Sequence, residues 1–140
     1  MKDRLHAIVY VSSAVHLPTV DELEHLLKRA RERNLESAVT GLLLYGGGNF
    51  MQYIEGPHAA LLHVYRIIQA DPLHTGLIEL MDDPVPTREF GGWSLAYRVT
   101  EMPDFIALSA ARWRQQGGQA LTPGKALLRK VWAGPLGDKR

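Results

Sequence analysis

Cysteine is absent from the 140 residues, so the chain forms no disulfide, presents no thiol nucleophile and holds no thiolate-ligated metal. Neither sign of charge is in excess. Sixteen basic side chains stand against fifteen acidic ones, a formal net charge of +1. That balance supplies neither the basic field that nucleic acid needs nor an acidic tail. No apolar run approaches the roughly 20 residues of a membrane span. The charged opening Met1-Lys2-Asp3-Arg4-Leu5-His6 leads into a stretch too short for a secretory signal. We therefore expect a soluble cytoplasmic protein with no nucleic-acid or membrane partner. Familiar catalytic signatures are missing too. No Gly-x-Gly-x-x-Gly or Gly-Lys-Ser/Thr loop opens a helix after a strand. His6, His16, His25, His58, His63 and His74 include no His-x-x-x-His pair, so no metal site is expected.

What is present is enough apolar residue, 46% of the chain, for one domain with one core. Leu5 to Ser13 is apolar and β-branched and reads as a strand. Thr19 and Glu22 resemble a capping box, and Val20, Leu23, Leu26, Leu27 and Ala30 then recur at helical spacing, with an end expected near Asn34. Val39 to Tyr45 and Phe50 to Glu55 flank Gly46-Gly47-Gly48-Asn49 and read as a hairpin. Pro57 is placed at the first position of a second helix, with stripe Leu61, Leu62, Val64, Tyr65 and Ile68, ended by Asp71-Pro72. Leu77 to Met81 and Leu95 to Val99 are two further strands, joined by a loop with Pro84, Pro86 and Gly91-Gly92.

This order is an α+β, ferredoxin-like βαββαββ plan, with both crossover helices on one face of the sheet. Strand one carries apolar residues on both faces, Ile8 and Tyr10 against Ala7, Val9 and Val11. Two helices cover one face only. Phe105 to Trp113 and Ala126 to Trp132 are therefore expected to cover the other as helices, or to dimerise there, with Gly134 to Arg140 a flexible tail.

The conspicuous residues are polar ones on the helix-covered face. Tyr10 shares that face with Ile8, and Gln52 shares it with Phe50 and Ile54. A buried glutamine must satisfy one carbonyl oxygen and two N–H donors, and an unmet group costs about 1–3 kcal/mol. Strands one and three are neighbours in this topology, so the Tyr10 hydroxyl can reach the Gln52 amide. The remaining amide capacity suits a polar heteroaromatic ligand between the two helices. On spacing alone, a Tyr–Gln pair satisfying itself within a core reads equally well.

Five ordered segments resemble one family, the BLUF domains. They are Ile8 to Ala14 around Tyr10; Arg33 to Tyr45; Phe50-Met51-Gln52-Tyr53-Ile54-Glu55-Gly56; Asp71-Pro72-Leu73-His74; and Phe90-Gly91-Gly92-Trp93-Ser94-Leu95. The resemblance spans roughly residues 4 to 100 with spacing intact. It implies a blue-light photoreceptor domain over residues 1–100, to which the reading of the uncovered sheet face adds a C-terminal helical cap or output segment over 101–133 and a tail over 134–140. It also implies a non-covalent flavin, FAD with FMN as the alternative, held between the two helices. Gln52 would bond the ring near N5 and the C4 carbonyl, and Tyr10 would bond Gln52. Asn34 would bind the C4 carbonyl and N3 edge, where the plain reading is a helix-end asparagine. Asp71 and His74 fall where the family touches the ribityl or pyrimidine side, or are simply helix-end residues. Lys28, Arg29, Arg31 and Arg33 read mostly as a solvated, dipole-compatible face, and the resemblance leaves room for one of them near the flavin phosphates. By resemblance, light moves an electron and a proton from Tyr10 by way of Gln52, which ends rotated or tautomerised, and absorption shifts to the red. One departure is Leu95, where the family commonly has Met. With Trp93, which either packs near the flavin or turns outward, it is a candidate tuning residue.

No catalytic domain is expected beyond residue 140, and output is expected through a separate signalling partner or through homo-oligomerisation, without turnover. Two rivals share the fold. An acylphosphatase-like hydrolase needs an arginine in a phosphate loop after the first strand, and Ser12-Ser13-Ala14-Val15-His16 contains none. The other is an adaptor that has lost its flavin.

Overall fold

A computed structural model describes residues 4–115 and 121–132. Its elements are β1 (Leu5–Ala14), α1 (Val20–Glu36), β2 (Thr40–Gly46), β3 (Asn49–Pro57), α2 (His58–Gln69), β4 (His74–Pro84), β5 (Ala96–Val99), α3 (Met102–Ala110) and α4 (Pro123–Trp132). The strands form one sheet in the order β4-β1-β3-β2-β5. β1 runs antiparallel to β3 and β4, and β5 adds in parallel beside β2. This is the expected α+β, ferredoxin-like plan with an added edge strand.

Local chemistry sets the boundaries. The Thr19 hydroxyl accepts from Glu22 N at 3.1 Å and the Glu22 carboxylate accepts from Thr19 N at 2.9 Å, starting α1 with the expected capping box. α1 runs past Asn34 to Glu36, and the chain turns at Ala38, whose φ is +55°. The hairpin turn is Gly47-Gly48, with φ of +55° and +81°, a pair of positive angles that admits glycine readily. Pro57 closes β3 and stands just before α2 rather than inside it, at φ −57° and ψ 135°. β4 is longer than its apolar run because it pairs with β1 from Ala14↔His74 to His6↔Pro84.

The pleat of β1 sorts the core. Ala7 and Val9 pack with Phe105 and Leu108 of α3, Trp113 beyond its end and Leu128 of α4. The face left open by the first two helices is thus covered by α3 and α4. α3 starts three residues earlier than the apolar pattern suggested and ends at Ala110, and Trp113 Nε1 donates to the Leu108 carbonyl at 2.9 Å. The expected tail from Gly134 lies outside the described residues. On the opposite face the core is divided. Ile8, Tyr10 and Ile54 pack with Leu61, Val64, Tyr65 and Ile68 of α2, while Leu43, Phe50 and Leu95 pack with Leu27 and Ala30 of α1. Among the described residues no helix is long and apolar enough to cross a membrane.

Candidate functional site

Between these two packed groups lies a cavity of about 580 Å³, within the size range of small-molecule sites. Its floor is sheet and its walls are α1 and α2: Leu26, Ala30, Leu43, Phe50, Ile68 and Leu95 supply apolar surface. The polar groups on it are few and placed by the register. Tyr10 and Gln52 sit directly opposite each other on β1 and β3. Both are buried, and the Tyr10 hydroxyl donates to Gln52 Oε1. Burial pushes the Tyr10 phenol well above its ordinary range, outweighing the nearby Arg33 charge that pulls it down. Tyr10 therefore keeps its proton and its role as donor. With Oε1 accepting from Tyr10, the donors of the same amide are what Gln52 has left to offer a ligand.

His74 and Asp71 also line the cavity, at the α2–β4 turn. His74 Nε2 is 2.6 Å from the Ile68 carbonyl, and Nδ1 is 2.7 Å from Ser12 Oγ. A carbonyl only accepts, so Nε2 carries a hydrogen, and in the neutral ring Nδ1 accepts from the serine. The His74 ring thereby stands fixed, 6.0 Å from the Tyr10 ring between centroids. Asp71 Oδ1 accepts from Leu73 N at 2.9 Å, an Asx turn that leads the chain from α2 into β4.

The structure thus brings together Tyr10, Gln52, Asp71, His74 and Leu95. It does not put Asn34 or Trp93 on the cavity wall. Asn34 is fully buried, its Nδ2 donating to the Ser94 carbonyl at 2.8 Å while its Oδ1 meets no partner among the described residues. Of the two orientations open to it, Trp93 takes the outward one, packing against Phe90 and Trp132 at centroid distances of 6.2 and 5.2 Å. Leu95 faces the cavity while its carbonyl accepts from Arg31 Nε at 3.0 Å.

Sequence reasoning missed three features. Arg29 and Arg33 line the cavity beside Leu26 and Ala30; shared helical spacing with those apolar residues was the available signal. Ser12 fixes His74. Glu55, fully buried, accepts from the backbone N–H of Glu89 and of Phe90 at 2.6 Å each, pinning the β4–β5 loop to β3. A glutamate inside a buried strand run was the sign. Among the described residues no cluster of three or more metal-ligating side chains occurs.

The donor set suits a flavin. The ring system is flat and mostly apolar, with carbonyl acceptors and an N–H donor along one edge. On the wall, Arg33 Nε is a buried donor with no partner among the described residues, and with the Gln52 amide donors it can satisfy the carbonyls of such an edge.

Comparison with known proteins points the same way. A family model described as BLUF, sensors of blue-light using FAD, matches residues 5–96. The blue light- and temperature-regulated antirepressor BluF of Escherichia coli K12 is 38% identical over 87 residues, covering 62% of this chain and 22% of the relative. The photoactivated adenylate cyclase subunit beta of Euglena longa is 32% identical over 99 residues, 70% of this chain and 12% of that protein. The chain thus spans under a quarter of the length of either. Among solved structures, the dark state of the BLUF protein BlrB superposes with a TM-score of 0.66 at 30% identity, covering 96% of this chain and 89% of that one. The BlsA ground state, at 19% identity, shares the fold with a TM-score of 0.75, over 94% and 90% of the two chains.

Proposed function

The chain belongs to the BLUF family, sensors of blue-light using FAD, and from that premise we propose that Tyr10 and Gln52 are its photoactive pair beneath a flavin seated between α1 and α2. The observation that carries this reading is the buried Tyr10–Gln52 hydrogen bond at the floor of a cavity large enough for the ring. The flavin, when bound, supplies the chromophore and the electron acceptor; FAD is the form the family description names.

The protein's own residues position and exchange hydrogen bonds. Tyr10 holds a proton on Oη, directed at Gln52 Oε1. The Gln52 amide presents a donor at one end and an acceptor at the other, so turning it over swaps the two at one point of the cavity. The Gln52 amide donors and Asp71 would meet polar groups of the ligand, and the fixed His74 ring and Leu95 would close the wall against it, with Asn34 assigned to hold the Ser94 carbonyl next to Leu95. The β4–β5 loop joins Ser94 and Leu95 to Glu55 and, through the Glu89–Arg129 ion pair, to α4. A two-state change at the amide therefore has a packed route to the C-terminal helices. We assign output to those helices, acting on a separate partner protein and with no turnover in this domain.

Purified protein is expected to be yellow, and blue light to shift its flavin absorption reversibly to the red. Tyr10→Phe and Gln52→Leu should each abolish that shift with flavin still bound. A shift that persists in Tyr10→Phe overturns the assignment, and a preparation with no extractable flavin overturns the photoreceptor role.

A further inference from the structure

Three successive carbonyls stand just ahead of β5, outside its ladder with β2, whose first pair is Leu42↔Ala96. Each of the three has a donor. The Trp93 carbonyl accepts from Gly41 N at 3.2 Å, the Ser94 carbonyl from Asn34 Nδ2 at 2.8 Å, and the Leu95 carbonyl from Arg31 Nε at 3.0 Å. The first is a backbone bond. The other two come from α1, whose residues 31 and 34 share one helix face. Arg31 is half-buried and enters no ion pair among the described residues. Its buried Nη2 meets no acceptor there either, which leaves the Leu95 carbonyl as the partner of its guanidinium. A bond from a charged donor is stronger than one between neutral groups, and more so away from water.

What this bond holds is a wall of the cavity. Leu95 is buried, lines the cavity together with Gln52, and packs with Leu43, which lies opposite Gln52 in the β2–β3 ladder. The Gln52 amide can turn over only within the space those side chains leave. We propose that Arg31 is a positioning residue: by fixing the Leu95 backbone from α1, it keeps that wall closed on the amide and slows the return from the light-adapted state. The proposal rests on the photoreceptor reading above.

The test records dark recovery of flavin absorption after a blue flash, in the full chain and in variants of it. Arg31→Met keeps an aliphatic stem and removes every donor. Its recovery should be about tenfold faster, the factor expected for loss of one charge-assisted bond. Arg31→Lys keeps a charged donor without the guanidinium fork and should recover at an intermediate rate. A role exerted through the wall has a further signature. In a Leu95→Ala background the wall is already open, so Arg31→Met should change recovery by less than about twofold. Recovery unchanged or slowed in Arg31→Met, or an equal acceleration in the Leu95→Ala background, overturns the positioning role and leaves the photoreceptor reading standing. Flavin lost from both Arg31 variants overturns it too, by making Arg31 a residue the fold itself needs. A parent protein with no light-induced shift overturns the photoreceptor reading and this role with it.

Discussion

Buried hydroxyls dominate the chemistry at the scale of single residues. Burial is the largest influence on Tyr10, Tyr53 and Tyr65, and it raises the pKa of each. An unfolded tyrosine titrates near about 10. The folded state favours the protonated phenols, so their contribution to stability is complete below that pH and drains away as pH climbs toward the raised values. Phenolate absorbance from these three should therefore rise together with loss of far-UV dichroism above about pH 10, not before it. Ionisation well in advance of unfolding would contradict their burial. Glu55 offers a second residue-level check. Its carboxylate oxygens take the Glu89 and Phe90 amides, and Glu55→Gln replaces one acceptor with a donor. A loss of about 1–3 kcal/mol in urea unfolding is expected; an unchanged midpoint would mean the loop does not depend on this clamp.

Elements fit together here through a few close approaches. A Cβ on Gly124 would lie 2.4 Å from Trp113 Cδ2, so α4 can meet the indole only where a residue has no side chain. Gly124→Ala should cost about 1–3 kcal/mol by denaturant melt, whereas Gly92→Ala, with open space around it, should cost far less. The same contrast explains what could be read from the sequence. The Gly47-Gly48 turn was legible because positive φ leaves few alternatives. The Tyr10–Gln52 pair was legible because strand alternation and topology put both on one face. Pro57 was misplaced by a step because its fixed φ suits a strand end as well as a first helical turn. The start of α3 was hidden because Glu101 makes no side-chain cap. Arg29 and Arg33 looked solvated because a long aliphatic stem lets the charged head sit on a rim or in water. The outward Trp93 depends on Trp132, a contact 39 residues away that no local pattern encodes.

For the whole molecule, the sheet is buried on both sides but not in the same manner. α3 and α4 close one side with a continuous core in which Phe105, Leu108, Trp113 and Leu128 meet Leu42, Leu44, Met51 and Met81. Removing the chain from residue 101 onward should expose those strand residues, producing dye-binding, self-associating protein; a monodisperse truncated form that binds no hydrophobic dye would argue against this packing. The helix side keeps two half-cores that do not merge. A cofactor wedged into the seam between them acts as a keystone, bearing on both halves at once. Its concentration then becomes a structural variable: a ligand present at a hundred times its Kd adds about 2.7 kcal/mol to the folded state. Melting temperature should climb with every increment of free flavin, and cells poor in flavin would hold a looser form of the same chain.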